Sequence, residues 1–351
     1  MKDKKKLFYY AVGNPPYNSD FSESGENGNF AKPVYNIFMD AAYKVAEKVE
    51  LIHPARFLFN AGSTPKPWNE KMLNDTHFKV LHYEEDASTV FPNTDIKGGI
   101  AITYHDMSAD YEPIVVFKKY SELNTILHKV KNHKDFIALD NYVISRTAYR
   151  LTENLHQEHP DAKNQLSKGH LYDMSTNIFD RLPQMFFDKK PDNTNDYIQI
   201  LGREKNQRVY KYILAKYVNE PKNLHNYKVF LSSGNGNGTF GETLTTPIIG
   251  IPNVGSTETF ISVGCFDTET EAESLVKYIK CKFTRTMLNI LKITQHLTPD
   301  VWGYVPFQDF TSTSDIDWSK SIHEIDLQLY RKYGLTADEI NFIETNVKEM
   351  A

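Results

Sequence analysis

The chain has 351 residues, 40% of them hydrophobic, 24% charged and 13% aromatic, with a formal net charge of −5. That supports one large core or two smaller ones and excludes a disordered chain, which avoids so many rings. The acidic total excludes a globally basic nucleic-acid binder, and only two cysteines, Cys265 and Cys281, argue against a disulfide framework or a cysteine-rich zinc site.

The start, Met1 to Lys6, is basic, but the apolar run after it, Leu7 to Gly13, is too short for a signal peptide. No segment is long enough to span a bilayer, so a cytoplasmic protein without membrane contact is expected. Leu7 to Val12 reads as a buried strand that stops at Gly13-Asn14-Pro15-Pro16, where two prolines remove ladder donors. Phe21 to Asn29 is polar and glycine-rich and reads as a mobile loop. Lys32 to Lys48 reads as a helix, with Val34, Ile37, Phe38, Ala41, Ala42 and Val45 near a 3.6-residue period and Pro33 in its first turn. Glu50 to His53 returns to strand, Pro67 to Leu73 to helix, and Phe78 to Tyr83 and Gly99 to Tyr104 to strand. Strands alternating with helices predict an α/β sheet.

After Asp110 the character changes. Tyr120 to His133 is an amphipathic helix, and residues 150–196 are polar and proline-studded, with His156, His159 and His170 scattered as surface or helix residues. Tyr197 to Leu201, Lys228 to Ser232 and Phe260 to Val263 predict strands. Glu269 to Leu291 predicts one long helix, residues 301–318 a loop, and Ser319 to Ala351 further helix. Boundaries fall near 111–120 and 195, dividing the chain into 1–110, a connector 111–195 and a region 196–351.

The informative motif is Asn14-Pro15-Pro16-Tyr17, at the carboxyl end of a predicted strand, where open α/β sheets place their ligands. Methylating an exocyclic amine requires a nitrogen whose lone pair is delocalised into the ring. Two acceptors on its two N–H bonds draw that nitrogen toward tetrahedral geometry. The Asn14 amide oxygen and the Pro15 carbonyl are suited to this, the prolines keep both aimed, and Tyr17 offers a flat face for a base. This is preorganised electrostatics rather than acid–base chemistry. A base inside a duplex cannot reach such a pocket, so base flipping is implied.

Val12-Gly13-Asn14-Pro15-Pro16-Tyr17 resembles the catalytic motif of the TaqI-like, gamma-class DNA adenine-N6 methyltransferases, especially those of type II and IIG restriction–modification systems. Ala31-Lys32-Pro33-Val34-Tyr35 and Ile52-His53-Pro54-Ala55-Arg56-Phe57 sit where that family places its next two motifs. Val90-Phe91-Pro92, followed by Asp95-Ile96-Lys97-Gly98-Gly99-Ile100, resembles the segment whose Phe stacks on the flipped adenine, which makes Phe91 the stacking partner beside Tyr17. The resemblance covers residues 7–110 well and 197–351 more loosely, as a target-recognition region in which Trp302, Tyr304, Pro306, Asp309 and Phe310 resemble the closing segment.

There is one departure. The family carries its S-adenosylmethionine (SAM) motif, a strand ending in Phe-x-Gly-x-Gly, before the catalytic motif, and none precedes Asn14 here. A permuted order would use Val229 to Gly238, but Thr245 to Val254, with Pro247, Gly250 and Pro252, is not the helix that such a site needs, so Gly234 to Gly238 reads as a loop. No residue is assigned to the cofactor. Pro191-Asp192 with Glu220-Pro221-Lys222 formally fits a nuclease metal site but lies in polar loop, and no metal is expected. Residues 111–230 hold 19 Lys and Arg against 14 Asp and Glu, whereas 301–351 hold 4 against 9, so the middle is the part suited to phosphate. Within it, Arg203, Lys205, Arg208 and Lys211 form a basic cluster with Asn206 and Gln207, equally suited to DNA or to a solvated loop.

The resulting expectation is a partial Rossmann-like methyltransferase sheet followed by a mixed α+β target-recognition domain. Its function is SAM-dependent methylation of adenine N6 in double-stranded DNA within a restriction–modification system. The alternative is a non-catalytic DNA-specificity or remnant subunit. Either reading leaves room for a partner polypeptide bearing the SAM site or a nuclease.

Overall fold

The computed structural model describes residues 6–19, 32–92, 94, 96–111, 113, 114, 117, 120, 122–192 and 194–350. Phe21 to Asn29, Ala31 and Asp95, named above, lie outside them. The chain divides into two compact units, Met1–Asn124 and Thr125–Ala351.

In the first unit, β1 (Phe8–Gly13) leads through α1 (Tyr35–Val45) to β2 (Ala46–Pro54), which pairs parallel to β1 with Gly13 opposite Leu51. Helix α2 (Lys66–Leu73), β3 (Phe78–Glu84) and β4 (Ile100–Asp106) follow, and the sheet order is β1-β2-β4-β3. β4 runs antiparallel to both of its neighbours. The carboxyl ends of β1, β2 and β3 therefore share one edge of the sheet. A core of Tyr35, Met39, Phe57, Trp68, Met72 and Phe78 packs with Val49, Leu51 and Ala101 of the strands.

Three expectations for this unit need correction. The helix ends at Val45, not Lys48, because Ala46 turns to extended backbone at φ −121°, ψ 149°. Val49, Leu51 and His53 are buried while Lys48, Glu50 and Ile52 are half-buried, a strand alternation, and from Lys48 onward neighbours on both sides satisfy the ladder. The apolar stripe of α1 also faces differently. Tyr35, Asn36 and Met39 are buried, while Ile37 and Phe38 are 62% and 46% exposed. The strand read as buried is bare: Tyr9 and Val12 of β1 are 67% and 72% exposed, Leu7 just before it is 76% exposed, and β2 is its only strand partner among the described residues.

Helix α3 (Glu122–Lys131) opens the rest of the chain. β5 (Val143–Ile144), α4 (Glu153–Glu158), α5 (Ala162–Gln165) and α6 (Ile178–Arg181) precede a hairpin of β6 (Tyr197–Glu204) and β7 (Gln207–Leu214). β8 (Tyr227–Ser232), β9 (Ile248–Gly250), β10 (Val254–Ser256) and β11 (Phe260–Phe266) complete two sheets, β10-β6-β7 and β5-β11-β8-β9. Their shared core includes Tyr149, Phe179, Ile200, Ile213, Phe230 and Phe260.

Residues 202–208, read from the sequence as a basic cluster suited equally to DNA or to a solvated loop, form the strand ends and turn of this hairpin. Its turn, Lys205-Asn206, has φ of 48° and 64°, the left-handed pair that matches strand twist in a two-residue connection. The single helix expected over Glu269 to Leu291 is two, α7 (Glu269–Lys280) and α8 (Lys282–Asn289), broken at Cys281 by ψ 142°. The break is held by the buried Asp326 carboxylate, which accepts from the Lys282 and Phe283 N–H groups at 2.9 and 2.8 Å and so caps α8 from far along the chain. The final helix also divides, into α9 (Ile322–Lys332) and α10 (Ala337–Asn346), each opened by a capping box and separated at Gly334 with φ 61°.

Candidate functional site

Asn14 to Tyr17 leave β1 at the edge where β2 and β3 also end. The turn is tied to the entry of α1: the Tyr17 carbonyl accepts from Val34 N–H at 3.0 Å and the Lys32 carbonyl from Ser19 N–H at 2.9 Å. Asn14 and Pro16 are exposed, whereas Pro15 and Tyr17 are half-buried. Burial raises the Tyr17 phenol above its ordinary pKa, and the nearby Asn14 amide opposes that rise without reaching hydrogen-bond geometry. The Asn36 amide oxygen, one residue into α1, is also buried without a hydrogen-bond partner among the described residues. A lone Asn in an apolar helix carried no signal for it.

The floor beside this turn is aromatic. Tyr35, first in α1, stacks on His53 at the end of β2, with centroids 5.7 Å apart and planes within 7°. His53 is fully buried and contacts Thr103 Oγ1 at 2.7 Å and the Pro54 carbonyl at 3.2 Å. Burial pushes its imidazole down to about 4, so it is neutral near pH 7.

Phe91 lies in the β3–β4 connection, on the same edge as Asn14. Three strand spacings separate β1 from β3, roughly 14 Å, so this loop must lean inward to reach a base held at Tyr17. Its foot is pinned. Asp86 accepts from Ser88 N–H at 3.0 Å, and Phe91 N–H donates to the Ala87 carbonyl at 2.8 Å. At the other end Arg56 Nε donates to the Lys97 carbonyl, and Ala55 N–H donates to the Gly99 carbonyl at 3.0 Å. A Cβ on Gly99, at φ 72°, would stand 2.3 Å from the Glu84 carbonyl oxygen, so only glycine closes the loop there. Arg56 thus clamps the β2 exit to the Phe91 loop, a role the motif likeness alone did not reveal. The Phe91 ring is half-buried and stacks on no aromatic side chain among the described residues.

The remaining sequence candidates separate. The Gly234–Gly238 stretch is no open anion cradle. The Glu242 carboxylate fills it, accepting from Asn237 and Gly238 N–H at 2.9 and 3.1 Å and pairing with the buried Lys292. β9 follows it, not a helix. Asp192 caps its own turn through Thr194 and Asn195, Glu220 faces His225 at 3.8 Å, and Lys222 donates to the Asn141 carbonyl, so the nuclease-like residues do not converge. Among the described residues no acidic, His and Cys cluster is suited to a metal, and no helix is long and apolar enough to cross a membrane. Lys211 lies between Asp188 at 3.1 Å and Glu204 at 3.0 Å, its charge already matched, while Arg203, Lys205 and Arg208 are exposed.

Residues 1–91 match the Eco57I restriction-modification methylase family. Over 94 residues the chain is 31% identical to an uncharacterized adenine-specific methylase of Mycoplasma pneumoniae, covering 26% of this chain and 22% of that one. The family match covers the residues that hold Asn14. Among solved structures, the type IIG restriction endonuclease BpuSI aligns with 91% of this chain and 48% of its own, at 10% identity and a TM-score of 0.36. The type IIL restriction-modification enzyme MmeI, solved in complex with DNA, aligns with 96% of this chain and 56% of its own, at 8% identity and a TM-score of 0.37. Likenesses of this size establish no common fold. The chain spans under a quarter of the curated relative and about half of each structure.

Proposed function

We propose that the chain is the catalytic and DNA-reading part of a restriction–modification DNA methyltransferase that methylates adenine N6. The observation that carries this is the Asn14-Pro15-Pro16-Tyr17 turn, set at the carboxyl end of β1 and bonded to α1, inside the stretch that matches the methylase family. In this reading the Asn14 amide oxygen and the Pro15 carbonyl accept the two N–H bonds of a flipped adenine. Tyr17 and Phe91 cover its faces, and neutral His53 beneath Tyr35 holds the turn's support without adding charge. The exposed cations Arg203, Lys205 and Arg208 face the duplex.

SAM would supply the methyl group. The described residues do not by themselves fit it, because no open glycine-rich strand–turn–helix stands beside Asn14. The bare edge of β1, with Leu7, Tyr9 and Val12, and the exposed Ile37 and Phe38 of α1 are instead the surface against which further strands, from this polypeptide or another, complete a Rossmann-like sheet.

The test is methyl transfer from labelled SAM to mixed-sequence duplex, with and without the polypeptide bearing the SAM motif. Asn14→Ala in the competent assembly should lose about 100-fold or more in rate, with DNA affinity retained. A variant as fast as the parent refutes the assignment. Micromolar SAM binding by the chain alone, seen by calorimetry, refutes the incomplete pocket. An assembly that binds SAM and DNA but transfers no methyl favours a non-catalytic specificity subunit.

A further inference from the structure

The β6–β7 hairpin carries more than a patch of charge. Its root is fixed: Ile198, Ile200 and Leu201 are buried, and a Cβ on Gly202 would stand 2.4 Å from the Phe179 ring, so the strand sits tightly on the core. The neighbouring strand β10 pairs only as far as Leu201, opposite Ser256. Beyond that point residues 202–209 continue as a two-stranded ribbon closed by Lys205-Asn206.

On one face of this ribbon Arg203 and Arg208 stand directly opposite each other. Like charges in that position destabilise a strand pair unless something negative lies against them. No carboxylate among the described residues pairs with either. The nearby Glu204 is on the other face, drawn to Lys211. Arg203 donates to the Asn206 carbonyl and Arg208 to the Thr246 carbonyl, each at 3.2 Å, which steadies the guanidinium groups and leaves most of their five donors for a ligand. Lys205, Asn206 and Gln207 at the tip are exposed.

We propose that this ribbon is a groove-reading finger whose tip enters the major groove of B-form DNA, with Arg203 and Arg208 on base edges and Lys205 on phosphate. It rests on the reading above only in taking duplex DNA as the ligand. A major groove about 12 Å wide admits a two-stranded ribbon, and paired Arg donors suit guanine O6 and N7. A flat patch would meet phosphates alone. A projecting ribbon with a rigid root and a two-residue tip is shaped to enter.

The test uses the full chain and fluorescence anisotropy on about 30-base-pair mixed-sequence duplexes. One duplex is plain, one carries glucosylated hydroxymethylcytosine that fills the major groove, and one is saturated with distamycin in the minor groove. Glucosylation should weaken parent binding at least tenfold, and distamycin less than about twofold. Arg203→Gln/Arg208→Gln should weaken binding to plain duplex at least tenfold and become indifferent to glucosylation. Arg203→Lys/Arg208→Lys should keep the salt slope within about one unit but lose the glucosylation effect. Circular dichroism checks the folding of every variant. Parent binding that ignores glucosylation, or parent-like affinity in the Gln double variant, overturns the finger while leaving the methylase reading intact. Loss of methyl transfer with these results unchanged overturns only the methylase reading. A parent chain that binds no duplex overturns the finger outright.

Discussion

Acidification offers a direct reading of the support beneath the candidate site. His53 is fully buried, and burial pushes its pKa from 6.5 down to about 4. A base depressed in the folded state binds fewer protons there than in the unfolded chain. Stability is therefore full above about pH 6.5 and is lost as pH falls through the window down to about 4. At about 1.4 kcal/mol per unit, the loss attributable to this residue is roughly 2.5 kcal/mol by about pH 4.5 and roughly 3 kcal/mol below that. His53→Gln keeps an amide that can meet Thr103 but cannot titrate in this range. Urea unfolding across the pH series, followed by hydrogen-exchange mass spectrometry on peptides covering Ala46–Pro54, should show the parent losing this amount relative to the variant. Carbon-13 labelled histidine should place the His53 midpoint near 4. Parallel pH profiles for parent and variant, or a midpoint near 6.5, would refute the argument. Because His53 stacks on Tyr35 and the Tyr17 carbonyl is bonded to Val34, the same window should loosen the Asn14 turn.

Phe91→Ala should remove one stacking face, worth about 1–3 kcal/mol per base. The fluorescence of 2-aminopurine at the target position should then rise less on binding than with the parent, and an unchanged signal would place Phe91 away from the base. Lys228 is fully buried, and burial pulls its pKa down to about 7, yet its Nζ donates to the Leu224, Asn226 and Ile251 carbonyls at 3.0 Å each, the three acceptors an ammonium needs. Lys228→Met removes a donor from all three carbonyls, of which Leu224 keeps the Asn253 N–H at 2.8 Å, and should cost about 2 kcal/mol or more of the second unit's stability in urea unfolding; a loss under about 0.5 kcal/mol would show that water or rearrangement satisfies them.

The position of the Asn14 turn was legible from residue order alone. An apolar strand, two prolines and an amide beside an aromatic ring need no tertiary information to place them at a strand end, and β1 followed by Asn14 to Tyr17 bears this out as structure. The helical character of Ser319 to Ala351 was also legible, but not its division into α9 and α10, each opened by a capping box at Ser321 or Thr336. What the sequence left undecided depends on distant partners. Ala46 to Lys48 continue a helical period but become strand, because β1 pairs along them and β4 joins from Lys48. The break at Cys281 depends on Asp326, on another helix. The basic cluster suited DNA and a solvated loop equally until the pairing of β6 with β7 divided it by face. That pairing sends Lys211 to Glu204 and leaves Arg203 opposite Arg208. Side-chain identity sets which bonds a residue can make, but only the packed chain decides which groups are already satisfied and which remain for a ligand.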